Sequence, residues 1–369
     1  MVASEYLGLM GHEFSTGSSH VFLQLEAKVK TSRAIIALAV ILAFAVGALA
    51  QQAPLKLSHT TPLPELKDGD FDHLLADVAG NRLFATAEEN SKVLVFDLKT
   101  NELVHTIADL KAPHSLLYRA DLKKLFVVDG DLGEIKIYET ESGTYKPSGS
   151  IKLREGADAS TYDPSTKLFY VVNGGKDAKL PNAYISILDV EAGKTVAEIK
   201  MDSNDVEGMA FESSGHRMFV NVRGNGTVEV FDRNSRALLA TWSISQVGKN
   251  NTAIALDEAS HRLFVGTRIP PNLIVLNTES GKIVAKYPSA AMVDDMAFDS
   301  QRKRIYFAGT EFFDVFQQTD ADHYDRSGHI PTSFRAKTGV LVPELNKFYL
   351  AVPHHEKQVS ELRVYDVVP

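Results

Sequence analysis

The sequence predicts an all-β fold, a seven-bladed β-propeller, because one short motif recurs seven times between Phe71 and the C-terminus. The motif is a basic residue, an apolar residue and then an aromatic residue. The seven aromatic residues are Phe84, Phe126, Phe169, Phe219, Phe264, Tyr306 and Tyr349. They lie 42 to 50 residues apart, and a repeat of this length built only of strands is typical of a propeller blade.

Each repeat is predicted to hold four strands, because apolar and polar residues alternate between turns rich in Gly, Asp and Ser. In the first repeat, residues 74–76 predict the first strand and the aromatic motif predicts the second. Residues 93–97 predict the third strand, and residues 103–107 predict the fourth. Four such strands make one twisted blade, and neighbouring blades bury their apolar faces against each other. An aspartate that recurs at the end of the third strand, as at Asp97, is interpreted as a turn former.

The two ends of the repeated region predict how the ring closes. The seventh repeat ends at Pro369, directly after its third strand, so it lacks a fourth strand. Residues 55–59 precede the first repeat and belong to no blade of their own. We therefore expect the N-terminal segment to complete blade seven, which would also remove exposed strand edges.

The first fifty residues have the pattern of an export leader. Residues 34–50 are apolar or small, three basic residues at 28–33 precede them, and the run ends Ala-Leu-Ala before Gln51. This order predicts a signal peptide that is cleaved after Ala50. Residues 1–27 are too polar for a leader, so Val29 is a candidate for the true start. We expect a leader over 1–50, a single propeller over 51–369 and a periplasmic or secreted monomer with no membrane span after cleavage.

Composition narrows the range of functions. The formal net charge is −8, which makes a general nucleic-acid binder unlikely, since such a protein needs a basic surface. The chain contains no cysteine. This excludes a thiol nucleophile, thiolate metal ligation and covalent haem attachment. The stability of an exported protein without disulfides must come from the packing of its blades.

Several repeats also resemble those of a known family. The relevant segments are residues 95–100 and 104–107 in repeat one and residues 188–190 and 195–199 in repeat three, together with Tyr170-Val171-Val172-Asn173. They resemble the YVTN-type repeats of bacterial exported propellers, the YncE-like family. The other six repeats depart from the Tyr-Val-x-Asn sequence itself. The resemblance spans 51–369 and implies a periplasmic or secreted seven-bladed propeller, but it carries over no catalytic residues.

The channel of the predicted propeller offers one candidate site. The first strand of each blade lines a central channel, and its N-terminal end opens on one face. The residues at that end are Asp72, His114, Asp158, Glu207, Thr252, Asp294 and Lys337, with His73, Ser115 and Asp295 beside them. The loops between second and third strands add Glu88, Asp129, Asp131, Asn173, Arg223, Arg268, His354 and His355. The predicted ligand-binding set is Asp72, His73, His114, Asp158, Glu207, Asp294, Asp295, Arg223 and Arg268.

These residue types predict a cation or a polar ligand at the channel mouth. Carboxylates with amide or water oxygens suit calcium, whereas histidines with carboxylates suit zinc or another transition metal. The acids at the first-strand ends are expected to repel one another, and a cation would relieve that repulsion. The alternative is a polar wall that only contacts water in the channel. For His354 and His355 the alternative is an exposed surface pair.

Three functions are compatible with this pattern. The first is a non-enzymatic binding or scaffold protein of the cell envelope, with a small molecule or a protein at the channel mouth. The second is a hydrolase of the propeller lactonase type, in which a metal polarises an ester carbonyl. The third is a quinoprotein-like oxidoreductase, which only the shared architecture supports. We prefer the first, because no residue spacing demands catalysis.

Overall fold

The computed structural model describes residues 53–141 and 143–369, which form seven four-stranded antiparallel sheets arranged as a propeller ring. This confirms the predicted all-β, seven-bladed fold. The predicted leader and its cleavage after Ala50 lie outside the described residues. In the part of the chain that is described, no helix is long and apolar enough to cross a membrane.

Strands are numbered in chain order, and each of the first six blades is continuous in sequence. Blades one and two consist of β2 (Leu74–Asp77), β3 (Arg82–Ala87), β4 (Lys92–Asp97) and β5 (Leu103–Ile107), then β6 (Pro113–Arg119), β7 (Lys124–Asp129), β8 (Glu134–Glu139) and β9 (Lys146–Lys152). Blades three and four consist of β10 (Ser160–Asp163), β11 (Leu168–Gly174), β12 (Ala183–Asp189) and β13 (Lys194–Lys200), then β14 (Met209–Phe211), β15 (Arg217–Val222), β16 (Thr227–Asp232) and β17 (Leu238–Ser243).

Blades five and six consist of β18 (Lys249–Asp257), β19 (Arg262–Ile269), β20 (Pro271–Asn277) and β21 (Ile283–Pro288), then β22 (Met296–Asp299), β23 (Arg304–Ala308), β24 (Phe312–Gln318) and β25 (Tyr324–Pro331). Blade seven consists of β26 (Thr338–Val342), β27 (Lys347–Val352), β28 (Glu361–Val367) and β1 (Leu55–Pro62). Two short 3-10 turns, Glu88–Asn90 and Pro343–Leu345, interrupt loops.

The outer strand of blade seven comes from the N-terminal end of the described chain. β1 pairs antiparallel with β28, from Leu55 opposite Val367 to Pro62 opposite Glu361. The register shifts by one residue between Leu57 and His59. Two distant parts of the sequence therefore share one sheet, and the strand order is β1-β28-β27-β26.

The core lies between neighbouring blades. All seven motif aromatics are at most 1% exposed. Each packs against the next or the preceding blade; for example, Phe126 of blade two and Phe169 of blade three belong to one apolar cluster, and Tyr306 stacks on Phe348 across blades six and seven. Burying such rings stabilises each blade contact by roughly 2–3 kcal/mol per side chain.

The recurring aspartates close the hairpins between third and fourth strands. The Asp97 carboxylate accepts hydrogen bonds from the backbone N–H groups of Lys99 at 2.8 Å and Thr100 at 2.9 Å. Asp232 accepts the equivalent bonds from Asn234 and Ser235. These aspartates therefore shape turns, as the sequence predicts, and they are not part of the channel.

Candidate functional site

The predicted set of residues meets at one face of the ring. A cavity of about 840 Å³ lies at the channel mouth. Its lining includes every member of that set, namely Asp72, His73, His114, Asp158, Glu207, Asp294, Asp295, Arg223 and Arg268, together with Glu88, Asp131, Thr252 and Lys337. Ten carboxylates in the lining face only five lysine and arginine side chains. The mouth is therefore polar and carries more acidic than basic groups.

One part of the lining, which we call the histidine cluster, consists of Asp72, His73, Glu88, His114 and Asp158. Its centre is the His114 ring, whose Nδ1 lies 2.7 Å from Asp72 Oδ2 and 3.5 Å from Asp158 Oδ1. Its Nε2 lies 3.8 Å from Glu88 Oε1. One imidazole thus lies among three carboxylates.

A glycine makes room for this imidazole. Gly130 lies directly against the His114 ring, and a Cβ atom at this position would come within 2.8 Å of His114 Nε2 and of the Ala157 carbonyl oxygen. Atoms at that separation overlap, so any larger residue at position 130 would displace His114 from the three carboxylates.

The second histidine extends the cluster across the channel. His73 Nδ1 lies 3.1 Å from Asp295 Oδ1, and His73 Nε2 lies 3.5 Å from Asp72 Oδ1. The other oxygen of Asp295 accepts a hydrogen bond from the backbone N–H of Gly339. Alternating carboxylates and imidazoles therefore run continuously from blade six, through blades one and two, to blade three.

The carboxylates hold both imidazoles in the charged state. Burial by itself would lower the pKa of His114, but the nearby Asp158 and Asp72 overcome that effect and raise it to about 10. Burial also opposes the charge on His73, yet Asp72 and Asp295 raise its pKa well above the usual value. Burial would raise the pKa of Asp72, but the two adjacent histidines hold it well below the usual range. At neutral pH this part of the cluster consists of one carboxylate between two imidazolium groups.

The two outer carboxylates titrate close to neutral pH. Burial raises the pKa of Glu88 to about 7, and the attraction of His114 only partly opposes it. Burial likewise raises the pKa of Asp158 to about 6, again against the attraction of His114. Small changes around neutral pH therefore change the charge at the mouth.

The remaining ring carboxylates form a different arrangement, the ion-paired arc, which consists of Glu207, Arg223, Arg268, Asp294 and Lys337. Arg223 Nη1 contacts a carboxylate oxygen of Glu207. Arg268 Nη2 lies 2.7 Å from Asp294 Oδ1, and Lys337 Nζ contacts Asp294 Oδ2. The expected repulsion is offset at Asp294, which contacts two cations. It remains at Glu207: although Arg223 contacts this carboxylate, burial and the nearby Asp158 and Asp294 raise its pKa well above the usual value. Arg223 reaches Glu207 from the loop after β15, whereas Arg268 lies near the end of the second strand β19 and not in the loop that the sequence predicts.

The histidine cluster has the geometry needed to hold a metal ion. Two triads of donors can each offer ligand atoms within 4.8 Å of one another: Asp72, Glu88 and His114, and Asp72, His73 and Asp158. Carboxylate and imidazole donors together favour zinc or another transition metal, whereas calcium prefers oxygen donors alone. Each imidazole would have to lose its proton before it could bind the ion.

Two of the residues that the sequence places in loops at the channel mouth, Asp129 and Asn173, have a structural role instead. Asp129 is fully buried and accepts backbone N–H bonds from Lys111 and Ala112. Asn173 is also fully buried and donates to Ser186 Oγ. These side chains hold loops in place and do not line the cavity.

The paired histidines at 354 and 355 do not join His73 and His114. His355 Nδ1 lies 3.1 Å from Asp68 Oδ2, and its ring packs against Phe334 with the centroids 4.7 Å apart. Neither His354 nor His355 lines the cavity. Glu88, by contrast, belongs to the histidine cluster, although the predicted ligand-binding set omits it. Its only signal in the sequence is its position at the start of a loop on the mouth face.

The sequence of the chain is similar to that of known proteins over part of its length. No family model matches the chain. Over 146 residues the chain is 25% identical to the uncharacterized protein YncE of Salmonella typhimurium, and over 131 residues it is 26% identical to YncE of Salmonella typhi. The match covers 39% of each protein in the first case and 35% in the second, so the chain matches about two fifths of the length of these relatives or less.

Solved structures support the fold alone. A chain in the crystal structure of the mitotic checkpoint complex matches with a TM-score of 0.66 and 16% identity, over 84% of this chain and 92% of that chain. A chain of Kuenenia stuttgartiensis hydrazine synthase matches with a TM-score of 0.66 and 14% identity, over 80% and 96% respectively. The chain is therefore a seven-bladed β-propeller that is similar to YncE over about two fifths of its length.

Proposed function

We propose that the protein binds a cation at the channel mouth through the histidine cluster. A seven-bladed propeller with similarity to YncE supports the broader scaffold or binding role. The observation that carries the proposal is the convergence of Asp72, Glu88 and Asp158 on the wall of a wide cavity. Among the described residues, no lysine or arginine nitrogen lies within ion-pair distance of these three acids. Within ion-pair distance, the partners of these acids are protonated histidines, and a metal ion can take the place of the histidine protons.

The donor set favours a transition metal such as zinc. Because the pKa of His114 is about 10 and that of Glu88 is about 7, a metal ion must displace protons from both groups at neutral pH. Below the pKa of its group, each displaced proton makes the affinity rise about tenfold per pH unit. Zinc affinity should therefore increase from pH 6 to pH 8, and more steeply below pH 7, where Glu88 is also protonated.

Calorimetric titration of the protein with zinc chloride at pH 6, 7 and 8 tests the proposal. We expect one ion per chain, tighter binding at higher pH, and proton release that appears as a dependence of the binding heat on the buffer. Glu88→Gln should weaken zinc binding at least about tenfold. Asp177→Asn, which changes a carboxylate of the same cavity outside the cluster, should leave it unchanged.

Three results would contradict the proposal: no zinc binding at pH 8, equal affinity in wild type and Glu88→Gln, or tighter binding of calcium than of zinc. The last result would mean that oxygen atoms alone form the site and that His114 is not a ligand.

The hydrolase hypothesis has less support from this geometry. The 2.7 Å contact between Asp72 and His114 is the kind that orients a catalytic base. However, a group with a pKa of about 10 is protonated at neutral pH and cannot accept a proton from water. A hydrolase would therefore need Glu88 or Asp158 as its base, and no observation places a substrate beside either carboxylate.

We also propose that the protein acts outside the cytoplasm, after cleavage between Ala50 and Gln51. The order of basic, apolar and small residues before Gln51 supports this. Mass spectrometry of the protein recovered from the producing cells should find Gln51 at the N-terminus. Retention in the cytoplasm with residues 34–50 intact would contradict the proposal.

A further inference from the structure

Four large apolar side chains on the mouth face are exposed, outside the histidine cluster. Ile269 is 57% exposed, Met292 44%, Phe334 43% and Val359 49%. Each lies at the end of a second strand or in a loop on the same face as the cavity: Ile269 at the end of β19, Met292 after β21, Phe334 after β25 and Val359 before β28. We call these four residues the apolar rim. They come from three consecutive blades, five, six and seven.

Hydrogen bonds join the first two loops of the rim. Arg268, next to Ile269, donates from Nε to the Val293 carbonyl at 2.9 Å. Val293 is the neighbour of Met292. The loops that carry Ile269 and Met292 are therefore held side by side.

Further bonds connect Met292 to Phe334 and Val359. The Thr310 N–H donates to the Ala291 carbonyl at 2.8 Å, and the Arg335 N–H donates to Thr310 Oγ1 at 2.8 Å. Beyond Arg335, the side chain of Gln358 bonds the backbone of Phe334 in both directions, at 3.2 and 2.9 Å. Hydrogen bonds thus hold the loops that carry the four side chains of the apolar rim next to one another.

The backbone at Met292 is unusual for an exposed apolar residue. Its φ is +55°, in the left-handed region that glycine and asparagine normally occupy. The neighbouring Arg335 has a φ of +62°. The same conformation occurs at turn residues of other blades, such as Lys123, Lys167 and Lys303, so at Met292 it marks a tight turn.

Acidic groups lie beside the apolar rim. Arg335 bonds three carboxylates at once: Asp70 at 2.5 Å, Asp68 at 2.8 Å and Glu89 at 3.2 Å. The side chains of Asp68 and Glu89 are 49% and 53% exposed, so they remain accessible. His355 links these acidic groups to the apolar rim, because it contacts Asp68 and packs on the Phe334 ring.

We propose that the apolar rim is a docking surface for a protein partner. The partner would present a short segment of apolar side chains next to a lysine or arginine. The apolar side chains would cover Met292, Phe334 and Val359, and the basic side chain would pair with Asp68 and Glu89. The proposal names a partner class and does not depend on cation binding by the histidine cluster.

The charge and the side-chain types at the apolar rim indicate the chemistry of the partner. Asp68, Asp70 and Glu89 share Arg335 and, through Asp70, Lys337. Three carboxylates against two cations leave an excess of negative charge, which a basic side chain complements. Exposed aromatic and methionine side chains beside that charge are types that are enriched in protein interfaces.

Selection of random peptides displayed on phage against the immobilised full chain provides the test. Enriched peptides should contain at least two large apolar residues within a few positions of a lysine or arginine. The affinity of a selected, fluorescently labelled peptide is then measured by fluorescence polarisation. The variant Met292→Ser/Phe334→Ser should weaken that affinity at least about tenfold. Asp68→Asn/Glu89→Gln should weaken it about threefold or more, and less at high salt.

A matched control separates this surface from exposed apolar residues in general. Leu238→Ser/Leu239→Ser removes two apolar side chains that are 52% and 53% exposed on the outer strand β17. It should leave the peptide affinity within about twofold. Equal affinity of the Met292→Ser/Phe334→Ser variant and wild type would overturn the proposal, as would enrichment of peptides without a basic residue or no enrichment at all.

Two other occupants have distinct outcomes. A concentration-dependent dimer that Met292→Ser/Phe334→Ser abolishes, measured by sedimentation velocity, would identify a second copy of the chain and overturn the proposal. Binding to phosphatidylcholine vesicles that the same variant abolishes would identify a lipid surface and also overturn it. Zinc titration of this variant should match wild type, so failure of cation binding and failure of partner docking can be told apart.

Discussion

The histidine cluster and the ion-paired arc occupy equivalent positions on the same ring, yet Asp158 in the cluster and Asp294 in the arc are in opposite electrostatic situations. Asp294 lies between Arg268 and Lys337, whereas Asp158 has only His114 within ion-pair distance among the described residues. The carboxylate of Asp294 therefore neutralises nearby fixed charges. Asp158 adds to the acidic charge at the mouth, and burial raises its pKa to about 6. Residues that share a repeat position can thus differ in chemistry because of what lies opposite them.

The largest expected effect is on the free energy of unfolding, when one aspartate in each region is replaced by alanine. Asp294→Ala would leave the buried cations Arg268 and Lys337 without their common partner, and we expect the free energy of unfolding to fall by about 3 kcal/mol. Asp158→Ala should leave it unchanged or slightly raised above pH 6, because the folded state disfavours the ionised form of Asp158. Urea denaturation of both variants at pH 8 provides the measurement. Equal destabilisation of the two would show that the regions do not differ.

The second effect is a loss of stability at alkaline pH that arises in the histidine cluster alone. The pKa of His114 is about 10 in the folded protein, above its value in the unfolded chain. The stabilisation that the charged His114 gives the folded state is complete below about pH 6.5. It is lost as the pH rises through 10. We expect wild type to lose about 2 kcal/mol more than His114→Gln between pH 7 and pH 10. Parallel stability curves for the two proteins would contradict the raised pKa.

The smallest effect concerns Glu88. Burial raises its pKa to about 7, above the value of an unfolded glutamate, so its ionisation destabilises the folded state as the pH rises from about 4.5 to 7. Glu88→Gln should therefore stabilise the protein by about 1 kcal/mol at pH 8.5. At pH 4 the effect should be close to zero. The measurement is the difference in the free energy of unfolding between Glu88→Gln and wild type, taken at pH 4 and at pH 8.5. The same difference at both pH values would contradict the prediction.

The comparison also explains why the cluster was only partly predictable. The repeat position identifies Asp72, His114 and Asp158, since their spacing follows the period of the blades. Glu88 lies in a loop whose length varies between repeats, so no periodic pattern marks it. The cations of the arc, Arg223 and Arg268, were placed at the mouth correctly, but their pairing with individual acids was not foreseen.

The sequence by itself determines the number of blades, the order of strands within each blade and the residues at the first-strand ends that face the channel. These features follow from local rules: strand alternation, turn formation and a constant repeat length. They need no knowledge of which blade faces which across the ring.

Only the tertiary structure decides which charges meet. His73 and Asp295 are 222 residues apart and lie 3.1 Å from each other, and Arg335 bonds Asp68 and Asp70 from the other end of the chain. Electrostatic energies depend on distances of a few ångströms and on burial, and neither can be read from spacing along the sequence. For this reason the ring of acids was visible in the sequence, whereas its division into a histidine cluster and an ion-paired arc was not.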